Sequence, residues 1–350
     1  MSSRWPRGFG NFVSVPRRRT LALVLACAVA AACGNGDRAV AHGAAPARVV
    51  AVTRWDTLWS VGGARDSTLL NPFLLSATDS LVYVYDGGAR RLVALSAATG
   101  APVWRFGRQG SGPGEFRGVR DIKRAGDGGV LVLDPRNNRI THLDRGGAVV
   151  SRIPLDQVGH AEQMAPLPDG RMVLLTMSPE SAFAVVGADG RVQRRFSLPW
   201  AGFAKLDPIA RQGFVAATGG TWVYGFSVGD GWYAFNGDRP AHFVGRYAEH
   251  TDFPKMETTT EGDRSITHME EYNACSGCSL SISGKTLVVH FGGYGNAPKR
   301  TLDRFDVSTG KYVDSYQLPI EAKAVEATGD HVYVLAEDPY PVLMALRPRR

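Results

Sequence analysis

Short apolar runs separated by turn residues recur along most of this chain and predict a protein built from β-strands. In residues 128–154, the stretch Val130–Leu133 is continuously apolar, which suits a strand buried on both faces. Asp134-Pro135 ends that strand, because proline lacks the amide donor and disfavours helical geometry in the residue before it. Asn137-Asn138 and Gly146-Gly147 suit tight turns. The segment therefore predicts three consecutive antiparallel strands.

The same unit occurs 48 residues upstream, where Asp86 and Arg91 stand in the places of Asp134 and Arg139. Weaker copies of the strand rhythm begin near residues 171, 221, 286 and 331. A period of 40–50 residues with four short strands in each copy is typical of a β-propeller. The predicted fold is all-β, with six blades of four antiparallel strands.

The two ends of the domain predict how the ring closes. The last copy, from about residue 321 to 347, has only three strands, and residues 48–60 hold strand-like sequence without a complete blade. We expect an N-terminal strand to complete the last blade, because an open ring leaves unpaired strand edges. A seventh blade stays open as an alternative if residues 232–275 contain one.

That region is the main departure from the strand rhythm. Asp263 is a candidate cap for a short helix over residues 264–273, which would place Ile266, Met269 and Tyr272 on one face. Two interpretations remain: a decorated loop between blades, or a lid over the channel mouth.

Residues 107–147 resemble an NHL repeat, and residues 80–106 are similar to one. The matching positions are Gly110, Gly112, Pro113, Gly114, Phe116, Gly128, Asp134, Asn138, Arg139 and Ile140. In that family the aspartate and the arginine brace a blade against its neighbours. The resemblance therefore implies that two pairs, Asp86 with Arg91 and Asp134 with Arg139, form structural clamps.

The N-terminus predicts a lipoprotein signal. The apolar run Thr20–Ala32 has 13 residues, too few to span a bilayer but suitable for a signal-peptide core. It ends in small residues before Cys33, as the cleavage site of a bacterial lipoprotein does, so Cys33 is the predicted lipidation site. Cys27 is the alternative. Gly34 rather than aspartate follows Cys33, a pattern that accompanies outer-membrane sorting in enteric bacteria.

The signal changes the charge argument. The whole chain carries +7, but residues 1–32 hold five of its 40 basic residues and no acid. The remainder has 35 basic and 33 acidic residues, a net charge of +2, so a nucleic-acid partner is not expected. The predicted organisation is a signal peptide (1–32), a flexible tether (33–47) and a single propeller domain (48–350), expected to be monomeric and joined to the membrane by its N-terminal lipid only.

Cys275 and Cys278 form a C-S-G-C motif. Outside the cytoplasm a disulfide is the expected state of such a pair. A metal site with His268 and His290, and a redox role, remain as alternatives. No catalytic motif or standard metal motif occurs. We therefore predict no catalytic residues, no metal and no cofactor.

The entries of the innermost strands predict a ligand site. In NHL-like blades the first strand lines the channel, and the loop that enters it lies on the binding face. These entries fall near Asn71, Arg120, His160–Gln163, Arg211-Gln212, Tyr272–Cys278 and Lys323. We predict Arg120, His160, Arg211 and Lys323 as ligand-binding residues.

The three cations Arg120, Arg211 and Lys323 are expected to face the same end of the channel and to bind an anionic group. The alternative is solvated rim charge, with Arg120 paired to Asp121 or Glu115, and Lys323 paired to Glu321 or Glu326. The predicted function is a lipid-anchored binding or interaction module of the cell envelope, with a protein or a small anion as partner. The alternative is a propeller enzyme of the lactonase or lyase type with a metal in the channel.

Overall fold

A computed structural model shows an all-β propeller with six blades. It describes residues 46–349 except 179, 201, 208–209, 240, 242, 262–263, 270–273, 276, 295–298 and 338. The predicted signal peptide and Cys33 lie outside the described residues. The described part of the chain belongs to one compact unit, Asp37–Arg350. No helix in that part has the length and hydrophobicity needed to cross a membrane.

Each blade has four antiparallel strands, to which blade V adds a fifth, parallel strand, and the strands are numbered here in chain order. Two strands precede the first blade: β1 (Val50–Val52) and β2 (Trp55–Gly62). Blade I contains β3 (Pro72–Ala77), β4 (Leu81–Asp86), β5 (Arg91–Ser96) and β6 (Pro102–Phe106). Blade II contains β7 (Asp121–Arg124), β8 (Val130–Asp134), β9 (Arg139–Leu143) and β10 (Val149–Pro154). Blade III contains β11 (Ala161–Pro166), β12 (Met172–Thr176), β13 (Phe183–Val186) and β14 (Val192–Phe196).

The second half of the ring carries the insertions. Blade IV contains β15 (Gly213–Thr218), β16 (Thr221–Phe226), β17 (Trp232–Asn236) and β18 (Phe243–Gly245). Three short strands follow: β19 (Met256–Glu261), β20 (Arg264–Met269) and β21 (Ala274–Cys275). Blade V contains β22 (Ser279–Ser283), β23 (Thr286–Phe291), β25 (Thr301–Asp306) and β26 (Tyr312–Gln317), interrupted by β24 (Gly293–Tyr294). Blade VI contains β27 (Ala324–Thr328), β28 (His331–Ala336) and β29 (Val342–Pro348), with β2 as its fourth strand.

The first strands of the blades surround the channel. Each of β3, β7, β11, β15, β22 and β27 contacts the first strand of the next blade, and β27 returns to β3. In a ring of six, blade I therefore lies opposite blade IV, and blade II opposite blade V. The predicted closure is confirmed, because β2 pairs antiparallel with β29 from Trp55 opposite Pro348 to Gly62 opposite Val342.

The region between blades IV and V differs from its prediction. Residues 264–269 form β20, which pairs antiparallel with β19, so the helix expected over 264–273 is wrong for this stretch. Its proposed cap Asp263 lies outside the described residues. The run Thr258-Thr259-Thr260 explains the difference, because β-branched residues favour strands. One further strand was not expected: β1 pairs in parallel with the outer strand of blade V.

Hydrophobic side chains fill the interfaces between neighbouring blades. Blades III and IV meet in an aromatic cluster, where Phe183 packs against Trp222 at 5.3 Å between ring centroids. Blades VI and I meet around Trp59 of β2, whose indole Nε1 donates to the carbonyl oxygen of Ala97 at 2.8 Å. Burial of such side chains is the main stabilising contribution in a fold of this kind.

Side-chain acceptors on the channel strands also join neighbouring blades, by accepting main-chain amides of the next channel strand. The pairs are Ser76 with Arg124, Asp121 with Met164, Gln163 with Val215, and Ser279, Ser281 and Ser283 with Val325, Ala327 and Gly329. The channel strands have no partner strand on their inner side, so these contacts satisfy amides that the sheets leave unpaired.

Candidate functional site

A cavity of about 650 Å³ lies at the end of the channel where the first strands of the blades begin. All six blades contribute residues to its wall. This size lies within the usual range for small-molecule sites. Four of the six predicted entries contribute to this wall, through Arg120, Gln163, Cys278 and Lys323, and we call the site the channel-mouth cavity.

Arginines dominate the wall formed by blades I and II. Arg90 follows β4, Arg117 and Arg120 precede β7, and Arg136 follows β8. All four are exposed. Among the described residues, no carboxylate forms an ion pair with Arg90, Arg117 or Arg136, so these three guanidinium groups bring unpaired positive charge to the wall.

Two of the predicted cations line this cavity but have partners other than those considered from the sequence. The Nε atom of Arg120 lies 3.6 Å from Oε2 of Glu162, and the pair is partly exposed. The Nζ atom of Lys323 lies 2.9 Å from Oε2 of Glu337. Both pairs are open to solvent, where ion pairs stabilise weakly and an incoming anion competes with the carboxylate.

His160 stands next to the cavity wall rather than on it. Its Nε2 atom lies 2.6 Å from Oε1 of Glu162, the same carboxylate that approaches Arg120. Its side chain is half-exposed. His160 is therefore linked to the cavity wall through Glu162.

Arg211 lies elsewhere. Its guanidinium is buried, its Nε donates to the carbonyl oxygen of Leu206 at 2.9 Å, and it lies over the ring of Phe203 at 5.4 Å. The residue is not part of the cavity wall. The structure thus corrects the expected grouping, which contains Arg120 and Lys323 but not Arg211.

Charged side chains close the channel below the cavity. Arg124 extends from blade II, and its Nη2 donates to the carbonyl oxygens of Ala217 in blade IV at 3.2 Å and Ile282 in blade V at 3.1 Å. Its Nη1 lies 3.9 Å from Oε1 of Glu326 in blade VI. Only a space of about 20 Å³ remains beside these groups. A ligand at the mouth therefore rests on this layer instead of passing through.

Burial changes the acidity of the carboxylates in that layer. Desolvation raises the pKa of Glu326 to about 7, against the opposing effects of Arg124 and Lys123. Desolvation also raises the pKa of Asp121, although Lys123 Nζ lies 3.0 Å from its Oδ1 atom and acts in the other direction. The floor of the cavity is thus less negative near neutral pH than its residue types indicate.

The opposite end of the channel holds a second cavity of about 800 Å³. Short turns between the first and second strands of the blades form its wall, with glycines at positions 126, 128, 219, 220, 284 and 329. Arg145 and Asp79 are among its few charged residues. The concentration of arginines is therefore specific to the channel-mouth cavity.

The aspartates of the predicted clamps have the same environment in two blades. Asp134 is fully buried, and its carboxylate accepts the amides of Arg117 and Gly118, each at 2.9 Å. Asp86 is also fully buried and accepts the amides of Leu70 and Asn71 at 3.1 and 2.9 Å. Each carboxylate therefore fixes the loop that enters its own blade.

The arginines of these pairs differ from each other. Arg139 Nη2 donates to the carbonyl oxygens of Gly112 and Glu115 at 2.6 and 2.7 Å, in the loop between blades I and II. The side chain of Arg91 makes no hydrogen bond or ion pair within the described part of the chain, and its Nε atom is buried without a partner there. The geometry expected for the clamp is thus present at Arg139 and absent from Arg91 among these residues.

Cys275 and Cys278 form a disulfide, which confirms that prediction. Cys278 also lines the channel-mouth cavity. A Cβ atom on Gly292 would lie 2.5 Å from Cys278 Sγ, so glycine is needed for this close approach.

His290, one of the two histidines considered for a metal site, is buried, and its Nε2 donates to the carbonyl oxygen of Lys299 at 3.0 Å. Burial lowers its pKa to about 4.

Comparison with known proteins places the chain in a family. The sequence profile described as outer membrane protein assembly factor BamB matches residues 45–194 and again residues 91–238, which together span more than half of the chain. The chain belongs to this family. The narrower resemblance of residues 107–147 to an NHL repeat stays a prediction. A search of curated proteins finds no match.

Two solved structures illustrate the likeness in fold. A candidate exported protein of Bacteroides fragilis has a TM-score of 0.53 and 11% identity, covering 88% of this chain and 98% of its own. Virginiamycin B lyase from Staphylococcus aureus has a TM-score of 0.51 and 12% identity, covering 84% of this chain and 99% of its own. At these identities the likeness extends to the propeller fold and not to its chemistry.

Proposed function

We propose that this protein is a binding module of the bacterial cell envelope, held at the membrane by a lipid on Cys33, and that its channel-mouth cavity binds an anionic group. The observation that carries the proposal is the wall of Arg90, Arg117, Arg120 and Arg136, of which only Arg120 approaches a described carboxylate within ion-pair distance. Guanidinium groups form paired, charge-assisted hydrogen bonds with carboxylates and phosphates.

Electrostatic repulsion supports the same conclusion. Four like charges around one cavity oppose folding, and a bound anion relieves that opposition. Folding alone gives no reason to gather them. The raised pKa of Glu326 acts in the same direction, because a protonated carboxyl in the cavity wall does not repel an anion.

The envelope location rests on two observations. The N-terminal pattern before Cys33 is that of a lipoprotein signal, and the family is described as an outer membrane protein assembly factor. Gly34 after the cysteine favours the outer membrane. We therefore assign the module to the periplasmic or outer face of that membrane, with a protein or a small anion as its partner.

The lyase or lactonase alternative has less support. Within the described residues, no group of three or more His, Cys, Asp or Glu side chains lies close enough to hold a metal ion. The similarity to virginiamycin B lyase concerns the fold only.

Calorimetric titration with inorganic phosphate and with succinate tests the anion site. We expect binding that weakens as salt rises from 50 to 500 mM, because exposed charges are screened. Arg117→Gln combined with Arg136→Gln should weaken it about tenfold or more, since each charge-assisted hydrogen bond contributes roughly 1.5–3 kcal/mol. Arg191→Gln is the matched control, because its side chain is 79% exposed in the turn before β14, an outer strand. Equal binding by the double variant and the control would contradict the proposal.

A further inference from the structure

The channel-mouth cavity has two chemically different walls. The arginines Arg90, Arg117, Arg120 and Arg136 come from blades I and II. Across the ring, blades IV and V contribute Phe214 and Leu280. Because blade IV lies opposite blade I and blade V opposite blade II, the apolar wall faces the cationic wall directly.

The apolar wall is more than a pair of side chains. Leu74 and Leu75 of blade I, on the side of the arginines, and Val325 of blade VI add further apolar lining to the cavity. Phe214, Leu74 and Leu75 are only partly buried, although each packs against a hydrophobic cluster between blades. Apolar surface that remains accessible inside a concave site is typical of ligand pockets.

Neither a simple ion nor an apolar molecule uses both walls. Inorganic phosphate satisfies the arginines but leaves the accessible surface of Phe214 in water. A hydrocarbon covers the apolar wall but leaves the guanidinium groups without an acceptor. A molecule with one anionic head and an apolar body of several carbons satisfies both, and about 650 Å³ is enough to contain it.

We propose that the channel-mouth cavity binds an amphipathic anion, with its carboxylate or phosphate on Arg117 and Arg136 and its apolar body against Phe214 and Leu280. This inference rests on the proposed function and names the ligand class. The layer formed by Arg124 and Glu326 closes the floor, so the molecule lies across the mouth from the arginine wall to the apolar wall.

Titration with acetate, n-octanoate and n-octanol tests the inference on the intact protein. Each buried methylene tightens binding roughly fourfold, so octanoate should bind at least a hundredfold more tightly than acetate. Octanol, which has the same chain without a charge, should bind at least tenfold more weakly than octanoate. If octanoate binds no more tightly than acetate, the amphipathic ligand is wrong while the anion site stands. If neither carboxylate binds, both proposals are wrong.

Variants on the two walls locate the binding. Arg117→Gln should weaken octanoate about tenfold, and Phe214→Ala should reduce the gain from acetate to octanoate while acetate binding stays the same. Trp200→Ala is the control for the second change, because this exposed aromatic residue lies outside the cavity. Octanoate binding that neither wall variant alters would place the ligand elsewhere and overturn the inference. If Phe214→Ala does not fold, the chain-length series decides.

Discussion

Asp134 and Arg139 face each other across the pairing of β8 with β9, but their side chains hold the same loop from two sides. The carboxylate of Asp134 accepts the amides of Arg117 and Gly118, whereas the guanidinium of Arg139 donates to the carbonyl oxygens of Gly112 and Glu115. The loop that they hold carries Arg117 into the channel-mouth cavity. A structural contact therefore positions a residue of the candidate site.

Asp134→Ala should lower the free energy of unfolding by at least about 3 kcal/mol, since each buried donor left without an acceptor costs roughly 1–3 kcal/mol. The donors affected are the amides of Arg117, Gly118 and Asn137 and the side chain of Asn137. Denaturant titration measures the change. Asp189→Ala, at an exposed turn of blade III, is the control and should cost less than about 1 kcal/mol. Similar losses in both variants would show that Asp134 has no special structural role.

The two clamp arginines should differ. Arg139→Ala should lower the free energy of unfolding by about 2 kcal/mol, because it removes charge-assisted hydrogen bonds to two carbonyl oxygens. Arg91→Ala, at the equivalent position in blade I, should cost about 1 kcal/mol or less, because it breaks no hydrogen bond among the described residues. The same denaturant titration compares them, and a larger loss at Arg91 would overturn this assignment.

Trp59→Ala should lower the free energy of unfolding by roughly 3–5 kcal/mol, as expected for removal of a buried aromatic side chain. Trp59 is 8% exposed and packs against Tyr333 of blade VI at 5.8 Å between ring centroids. The neighbouring Leu58 is 38% exposed, so Leu58→Ala should cost less than about 1 kcal/mol. Thermal or chemical unfolding of the two variants distinguishes the effect of the buried Trp59 side chain from the effect of any substitution in β2. Equal losses of stability would argue against closure through Trp59.

Glu326 should make stability depend on pH. Its pKa is raised from 4.5 to about 7 in the folded protein, so the unfolded chain releases this proton first as pH rises. The group therefore lowers the free energy of unfolding progressively between pH 4.5 and 7, by up to about 3 kcal/mol, with no further change above that range. Glu326→Gln should gain stability relative to the unmodified protein as pH is raised from 4.5 to 8.

Unfolding at several pH values measures that difference. Glu337→Gln is the control, because its side chain is 60% exposed and a change there should give a nearly constant difference. A difference between Glu326→Gln and the unmodified protein that does not change with pH would mean that burial does not raise the pKa of Glu326.

Cys33→Ala should release the protein from the membrane fraction. Intact-mass analysis of the mature protein should give an N-terminal Cys33 with attached acyl chains. Cys27→Ala is the matched control, since Cys27 lies within the apolar run that the predicted signal cleavage would remove. Mature protein that begins at another residue and carries no lipid would contradict the anchor.

The fold could be predicted because its signals are local. The turn after Asp134 illustrates this, since Asn138 adopts the left-handed conformation, φ 53°, that asparagine tolerates. The pairing of β2 with β29 followed from counting strands, because a ring with one incomplete blade needs a strand from the other terminus. The hairpin of β19 and β20 differs from the prediction because the capping pattern at Asp263 favours a helix, whereas the β-branched residues Thr258–Thr260 favour a strand.

The candidate site could be predicted only in part. The order of the strands indicates where the channel strands begin, and Arg120 and Lys323, predicted on that basis, do line the channel-mouth cavity. It did not indicate the direction of a side chain, and Arg211 instead lies over the ring of Phe203, outside the cavity wall. Arg90 and Arg136 were missed because they belong to turns between second and third strands. Those turns lie at the same end of each blade as the loops that enter the first strands, because antiparallel strands alternate in direction. This alternation in strand direction is the signal that could have identified Arg90 and Arg136.

The pairing of β2 with β29 also sets an order of events during synthesis. Residues 55–62 are made before their partners 342–348, with nearly the whole domain between them. Until then Trp59 and Val61 have no complete blade to cover them. Of the strand pairings that the structure describes, this one joins the segments most distant in sequence and so has the largest chain-entropy cost, and it is therefore expected to limit the rate of folding. A chain that stops before residue 342 loses two strands of blade VI at once. It lacks β29, and β2 is left without the strand with which it pairs.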